Sequence, residues 1–259
     1  MAITVVDDRG VTVSLDRPAQ RVVSLVPSTT ESLFDLGVPP VGVTRFCIHP
    51  PEAKPLPKVG GTKDPLLERI LALQPDLVLA NAEENTREII AAIEGAGVPL
   101  VVAFPKDVDG ALRDLLRIGA LIGRDASGWV ADIRQAQARV PPLRGRFLYL
   151  IWREPWMATG PDTFISRLLE DLGLENALKG EPRYPVVDPF QVQADVVLLS
   201  SEPFPFKRRH LAELEGAAPS VRLIDGEACS WHGTAMLRGF RELARWAADS
   251  GAEAERAEG

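Results

Sequence analysis

The chain has 259 residues, which corresponds to roughly 1.7 domains at about 150 residues per domain. Hydrophobic residues make up 46% of the sequence and charged residues 25%, so the composition excludes a disordered or coiled-coil protein. The net charge of −7 argues against binding to a phosphate backbone, and we expect no nucleic-acid partner. The sequence has no apolar run long enough for a transmembrane helix, and its first residues lack the pattern of a signal peptide.

The beginning of the chain is predicted to form a hairpin, then a strand, then a helix. The hairpin surrounds the turn signal at residues 8–10. A buried strand over residues 21–26 stops at Pro27. Ser28 and Glu31 have the spacing of a capping box, which predicts that a helix begins there.

A strand, a helix and a second strand are predicted next. The apolar run at residues 76–80 is typical of a strand that is buried on both faces of a parallel sheet. Residues 86–96 are predicted to be helical, and residues 100–104 form another apolar strand. This alternation indicates an α/β fold.

The second half of the chain repeats the pattern of the first. Three strand segments recur about 120 residues later, and the pairs are 21–26 with 146–151, 75–80 with 194–199, and 98–102 with 220–224. Two copies are too few for a solenoid. The repeat therefore predicts two lobes of similar plan, each built around a mostly parallel sheet.

The predicted fold class is α/β, with two lobes joined by a rigid backbone helix. Residues 1–107 are assigned to the amino-terminal lobe with its leading hairpin, and residues 143–259 to the carboxyl-terminal lobe. Residues 108–142 connect them. Apolar residues recur at helical spacing over 108–122, and about 14 helical residues make a strut of roughly 20 Å.

The candidate binding site lies in the loops that follow the strands, because ligands of open parallel sheets bind beyond the carboxyl ends of the strands. These loops hold aromatic side chains interspersed with cations, which suits a large, flat and partly anionic small molecule. An alternative is that the aromatics close the sheet ends as hydrophobic plugs. The candidate ligand-binding residues in these loops are Arg45, Phe46, Lys63, Asn81, Trp152, Arg153, Trp156, Phe204 and Trp231.

The sequence lacks the common catalytic motifs. It contains no G-x-G-x-x-G after the first strand, no phosphate-binding P-loop, no G-x-S-x-G and no H-E-x-x-H. We therefore expect a protein that is not an enzyme and that carries no prosthetic group.

Metal binding is an alternative function that the residues leave open. Cys47, His49, Cys229 and His232 all lie in loops near the predicted site, and imidazole and thiolate are ligands for zinc or a similar ion. The spacing of these four residues is not that of a structural zinc motif. We expect Cys47 and Cys229 to be free thiols. The candidate metal ligands are His49 and His232, whereas His210 follows three basic residues and is expected to be solvated.

Several segments resemble one family of transport proteins. Residues 21–31, 41–43, 50–51 and 67–78 are similar to the substrate-binding proteins of ABC importers for cobalamin and ferric chelates. The resemblance covers nearly the whole chain. It implies two rigid lobes on a long backbone helix, a cobalamin, haem or ferric-chelate ligand, and delivery of that ligand to a membrane permease.

The resemblance also implies particular ligand-binding residues. Phe46, Trp156 and Tyr184 match the cleft aromatics of the cobalamin-binding members. Thr62 and Asn81 stand where those members have tryptophans. The aromatic surface is thus expected to be smaller than in the cobalamin-binding members.

Permease docking is a further implication. In the family an acidic residue on each lobe pairs with arginines of the permease. Glu68 matches the first of these residues, whereas the second position holds Phe190 with Asp188 nearby.

The leading hypothesis is a monomeric substrate-binding protein of an ABC importer, located outside the cytoplasmic membrane. A cytoplasmic location stays open because the sequence begins without a signal pattern. The first alternative is a binding protein for a divalent metal ion. The second is an enzyme on a two-lobed α/β scaffold, such as a glycosyltransferase, since fold alone does not separate these functions.

Overall fold

The computed structural model describes residues 2–258, and its internal contacts divide the chain into two compact units. Unit 1 comprises Met1–Pro105, Asp109–Ala131 and His232–Ala235, and unit 2 comprises Lys106–Val108, Asp132–Trp231 and Met236–Gly259. The predicted lobe boundaries near residues 107 and 142 stay predictions. No helix among the described residues is long and apolar enough to span a membrane.

Unit 1 contains a hairpin and a parallel sheet. The strands are β1 (Ile3–Val6), β2 (Thr12–Leu15), β3 (Val22–Ser24), β4 (Gly42–Val43), β5 (Leu77–Asn81) and β6 (Leu100–Ala103). Strands β1 and β2 form the antiparallel hairpin. The other four strands form an all-parallel sheet in the order β4-β3-β5-β6, and strand β5 is buried along its whole length.

Five helices begin in the first half of the chain. They are α1 (Pro27–Asp35), α2 (Leu67–Ala72), α3 (Arg87–Gly95), α4 (Val108–Leu121) and α5 (Ser127–Ala138). Pro27 occupies the first turn of α1, where its missing N–H leaves no helical hydrogen bond unmade. The Thr86 hydroxyl accepts a hydrogen bond from the Ile89 N–H and caps α3.

Unit 2 contains a five-stranded sheet that is mostly parallel. Its strands are β7 (Arg146–Trp152), β8 (Met157–Ala158), β9 (Glu175–Asn176), β10 (Val196–Ser200) and β11 (Ser220–Ile224). Strand β7 pairs with β8, β9 and β10, and β10 pairs with β11. Only the pairing of β7 with β8 is antiparallel among the described strands of this sheet. The helices that follow β7 in the chain are α6 (Phe164–Asp171), α7 (Gly226–Ser230) and α8 (Ala235–Glu258).

The predicted α/β class with mostly parallel sheets is confirmed, and the repeat in the sequence corresponds to a repeat in topology. Unit 1 has the order β4-β3-β5-β6, and unit 2 has β9-β7-β10-β11. The three paired sequence segments contain β3 and β7, β5 and β10, and β6 and β11. Corresponding segments therefore occupy corresponding positions in the two sheets.

An aspartate at the start of β5 and of β10 performs the same role in both units. The Asp76 carboxylate accepts hydrogen bonds from the backbone N–H groups of Gln20 and Arg21 at 2.9 Å. The Asp195 carboxylate accepts one from the Arg146 N–H at 2.6 Å. Each aspartate thus ties the beginning of its own strand to the beginning of the neighbouring strand.

A short segment from the second half of the chain belongs to unit 1. The Thr234 N–H donates to the Ser32 hydroxyl at 3.1 Å, and that hydroxyl donates to the carbonyl of Ser28 at 3.0 Å. Gly233, which precedes Thr234, has φ +74°, and an added Cβ would lie 2.2 Å from the Ser32 Oγ. The segment therefore requires glycine at this position.

Candidate functional site

The loop after β4 presents an aromatic ring and a cation on the surface of unit 1. Phe46 is 51% exposed, and the Arg45 guanidinium lies 5.0 Å from the centre of its ring. The same guanidinium binds both carboxylate oxygens of Asp64 at 3.2 Å. The predicted pair of Arg45 and Phe46 thus forms an exposed cation–π contact.

Cys47 anchors this loop from inside unit 1. Its side chain is buried, its Sγ accepts a hydrogen bond from the Thr30 hydroxyl at 3.1 Å, and the Thr44 hydroxyl lies 3.2 Å away. The Lys58 Nζ donates to the Cys47 carbonyl at 3.3 Å. Cys47 is a free thiol, as is Cys229 in unit 2. The polar contacts of Cys47 hold the backbone next to Phe46.

Asn81 lies at the carboxyl end of β5 and is buried, with 4% exposure. Its Oδ1 accepts from the Glu83 N–H at 2.7 Å, and its Nδ2 lies 3.2 Å from the His232 Nε2. The Asn85 Oδ1 accepts from the Asn81 N–H at 2.9 Å, and the Asn85 Nδ2 donates to the Thr62 carbonyl at 2.8 Å. Asn81 is thus part of an internal amide network, and its contact with a ligand stays a prediction.

The two candidate metal ligands have different surroundings. His49 is exposed, whereas His232 is buried, and burial lowers the pKa of His232 so that the neutral imidazole is favoured. Among the described residues, no group of three or more histidine, cysteine, aspartate or glutamate side chains is arranged to hold a metal ion. The metal-binding alternative is therefore not favoured.

Lys63 and Glu68 are exposed residues of unit 1. The Lys63 Nζ donates to the Glu83 carbonyl. Glu68 lies in the first turn of α2, close in sequence to the exposed Leu66 and Leu71. The carboxylate predicted for permease docking is thus on the surface of unit 1.

Unit 2 contains a cluster of five rings at the carboxyl ends of β7 and β10, which we call the ring cluster. Its members are Trp152, Trp156, Phe204, Phe206 and His210. The rings of Trp152 and Phe204 meet edge to face at 5.7 Å, and those of Trp156 and Phe206 stack at 5.9 Å. Phe204 and Phe206 are 4.7 Å apart. Three predicted ligand-binding aromatics are thus brought together.

His210 differs from the expectation of a solvated side chain. It is only 3% exposed, and its ring lies 5.6 Å from the rings of both Phe204 and Phe206. Its Nδ1 accepts a hydrogen bond from the Lys207 N–H at 2.8 Å. The expectation was wrong because the 3-10 turn over Arg208–His210 packs the imidazole against the phenylalanines, while the Arg209 Nε lies 3.2 Å from its Nε2.

Trp231 is held by a carboxylate that sequence reasoning missed. The Glu202 Oε1 accepts from the Trp231 Nε1 at 3.1 Å and from the Ser230 hydroxyl at 2.7 Å. Burial raises the pKa of Glu202 above its usual value of 4.5. The Arg238 guanidinium lies 5.1 Å from the centre of the Trp231 ring. The Glu-Pro-Phe-Pro-Phe stretch at residues 202–206 was the only sequence signal near this carboxylate.

A buried hydroxyl and thiol lie beneath the strand ends of unit 2. The Tyr149 hydroxyl donates to the Ser200 Oγ at 2.9 Å. Burial raises the pKa of Tyr149 and also that of Cys229. Both groups therefore stay protonated, which does not suit a nucleophile.

The remaining predicted residues of unit 2 are on the surface. Arg153 pairs with Glu213 at 2.6 Å and with Glu154 at 2.9 Å. Tyr184 is 42% exposed. Asp188 is also exposed, and its Oδ1 accepts from the backbone N–H of Phe190 at 3.1 Å.

The chain is similar to periplasmic binding proteins in sequence and in fold. A family model described as periplasmic binding protein matches residues 22–198. The vitamin B12-binding protein of Vibrio campbellii is 26% identical over 210 residues, which cover 77% of this chain and 74% of that protein.

Two solved structures share the fold. The periplasmic vitamin B12-binding protein of Vibrio cholerae superimposes with a TM-score of 0.73 at 20% identity, over 90% of this chain and 98% of that chain. A periplasmic heme-binding protein in complex with two hemes superimposes with a TM-score of 0.74 at 25% identity, over 88% and 99% of the two chains.

Proposed function

Because the chain belongs to the periplasmic binding protein family, we propose that it captures a cobalamin-like or iron-chelate ligand for an ABC importer. The chain is a transport component and not an enzyme, in keeping with relatives that are binding proteins for vitamin B12 and heme. The observation that supports this ligand class is the exposure of large rings at the strand ends, at Phe46 with the Arg45 guanidinium 5.0 Å from its ring centre and at Trp152.

The proposed binding residues fall into two groups. The exposed rings of Phe46, Trp152 and Tyr184 are suited to contact a flat ligand directly, because each is at least 42% exposed. The cations Arg45 and Lys63 are suited to its polar edge, whereas the Arg153 guanidinium pairs with Glu154 and Glu213. The less exposed candidates are Asn81, Trp156, Phe204 and Trp231, and among them Phe204 packs against the ring of Trp152.

Tryptophan fluorescence tests this proposal. The protein is titrated with cyanocobalamin, hemin and a ferric siderophore, and quenching that saturates with at least one of them is expected. Phe46→Ala and Trp152→Ala should each weaken binding about tenfold, since a desolvated aromatic contact contributes about 1–2 kcal/mol. Trp246→Phe is the matched control, because its indole N–H donates to the Leu223 carbonyl within unit 2. The absence of a response to all three probes would contradict the proposal.

We further propose that the protein docks on its permease through Glu68 and Asp188, as a monomer outside the cytoplasmic membrane. Both carboxylates are exposed, so each is available to a guanidinium of a partner. Glu68→Gln and Asp188→Asn should lower ligand-dependent ATPase stimulation of the reconstituted importer and leave ligand affinity unchanged. Glu68→Asp is the control that retains the charge. Equal stimulation by all variants would contradict this docking mode.

A further inference from the structure

We propose that His210 is a positioning residue that fixes the ligand-contacting ring of Trp152 through Phe204. This inference rests on the proposed binding function. It specifies the part of the ligand that unit 2 recognises, which is a flat and uncharged ring face.

The first observation is a gradient of exposure across the ring cluster. Trp152 is 42% exposed, Phe204 is partly buried, and Phe206 and His210 are 5% and 3% exposed. The rings of Trp152 and Phe204 cross at 73°, so the edge of one ring meets the face of the other. Trp152 is therefore the most exposed ring among the described members of the ring cluster, and it rests on buried rings.

The second observation is the geometry of His210. Its Nδ1 accepts from the Lys207 N–H at 2.8 Å, which fixes the turn, and its ring lies 5.6 Å from the ring of Phe204 at an angle of 59°. The ring of Phe206 lies at the same distance and is nearly perpendicular, at 86°. The His210 imidazole thus accepts a hydrogen bond and also packs against both phenylalanines. The loss of either contact would leave Phe204 less firmly held.

The third observation concerns charge. The neighbouring Arg153 is paired with the carboxylates of both Glu154 and Glu213. Its positive charge is therefore already balanced, and Trp152 offers binding energy through its π face. A fixed indole loses little side-chain entropy on binding, which favours a flat conjugated ring over a flexible polar chain.

Four variants test the two parts of the inference. Trp152→Ala removes the contacting ring. His210→Asn keeps an acceptor close to the position of Nδ1 and removes the imidazole ring, whereas His210→Phe keeps a ring and removes the acceptor. Phe204→Leu removes the ring that links His210 to Trp152 and gives a second route to the same effect.

Affinity is measured on every variant, and the accessibility of Trp152 is measured on each variant that retains this residue. Affinity is measured by fluorescence titration for whichever of hemin, cyanocobalamin and a ferric siderophore the wild-type protein binds. The accessibility of Trp152 is measured by acrylamide quenching of fluorescence without ligand. The contribution of Trp152 is the difference in quenching between a variant and the same variant that also carries Trp152→Phe. A role that is only structural would lower the melting temperature and leave this Trp152-specific quenching unchanged.

We expect Trp152→Ala to weaken the affinity for the probe about tenfold. His210→Asn and Phe204→Leu should weaken this affinity about 3- to 10-fold, as expected for one lost aromatic contact. His210→Asn, Phe204→Leu and also His210→Phe, which loses the contact with the Lys207 N–H, should each increase the quenching of Trp152. Trp246→Phe should change neither value.

The outcomes separate this inference from the proposed function. If the wild-type protein binds a probe and the Trp152, His210 and Phe204 variants retain its affinity, the inference is wrong and the binding function stands. If the wild-type protein binds neither probe nor any ferric siderophore, both are wrong. If Trp152→Ala weakens binding and His210→Asn alters neither measurement, the positioning role of His210 is wrong.

Discussion

Units 1 and 2 share a strand order and differ in the chemistry at the ends of their strands. In unit 1 the carboxyl ends carry a network of amides and hydroxyls around Asn81, Asn85 and Thr30. In unit 2 the corresponding positions carry the ring cluster and the buried Tyr149. The beginnings of the strands are alike, since Asp76 and Asp195 make similar contacts.

This difference shows which part of an α/β repeat is free to change. The sheet needs a fixed order and register, so the strand beginnings of the two units stay similar. The strand ends lead into loops, and loops carry the residues that meet ligands. The two units therefore offer hydrogen-bonded support in one case and aromatic support in the other.

The two units should differ most in the free energy of unfolding that is lost when a central side chain is removed from the ring cluster of unit 2 or from the amide network of unit 1. Phe206→Ala in unit 2 should lower the free energy of unfolding by about 3–5 kcal/mol, because it leaves a cavity among packed rings. Asn85→Ala in unit 1 leaves the Thr62 carbonyl and the Asn81 N–H without their partner, which should cost about 1–3 kcal/mol. Urea denaturation measures both values, and an equal loss would contradict the contrast.

A second prediction concerns the segment of unit 1 that comes from the second half of the chain. Gly233→Ala should lower stability by about 2–4 kcal/mol, because alanine is strained at φ +74° and its Cβ would overlap the Ser32 Oγ. Gly10→Ala is the matched control, since Gly10 has φ +82° with no atom within 4 Å of an added Cβ. It should lose only about 1 kcal/mol. Thermal unfolding of both variants decides whether the close approach matters.

A third prediction tests the feature that the units share. Asp76→Ala removes the acceptor of two backbone hydrogen bonds and Asp195→Ala the acceptor of one, with expected losses of about 2–3 and about 1–2 kcal/mol. Asn at either position retains an oxygen and should recover part of the loss. If Asp195→Ala proved more costly than Asp76→Ala by denaturation, the number of hydrogen bonds would not explain the effect.

The smallest effect is expected for pH dependence in unit 2. Burial raises the pKa of Glu202 above 4.5, so the folded protein binds this proton more tightly than the unfolded chain does. The resulting stabilisation is complete below pH 4.5 and is lost as the pH rises through the raised value. Glu202→Gln should remove this part of the pH dependence, as followed by melting temperature from pH 4 upwards. A pH profile identical to that of the wild type would contradict the assignment.

Long apolar segments could be located from the sequence. The helix predicted over 86–96 is observed as Arg87–Gly95, and that over 108–122 as Val108–Leu121. Strands β8 and β9 have two residues each, which is too short for a periodic pattern to show. Their pairing with β7 depends on tertiary contacts alone.

The candidate site was predictable to a similar degree. Strand-end loops with aromatic and basic residues were recognised, and Phe46, Trp152 and Tyr184 proved to be exposed. Asn81 was identified as a loop residue without any sign that its amide is used internally. Glu202 was missed as a site residue because its partners Ser230 and Trp231 lie 28 and 29 residues further along the chain. His210 was missed because its contacts with Phe204 and Phe206 form in an irregular loop that has no periodic pattern.

The sequence by itself determined the fold class, the internal repeat and the loops in which a site should lie, because hydrophobic runs and turn residues act locally. The tertiary structure alone decided which rings present a face to solvent and which support them. That outcome depends on contacts such as those of His210 with Phe204 and Phe206. The direction of a side chain in an irregular loop is determined by the groups that pack around it, and no local pattern records those groups.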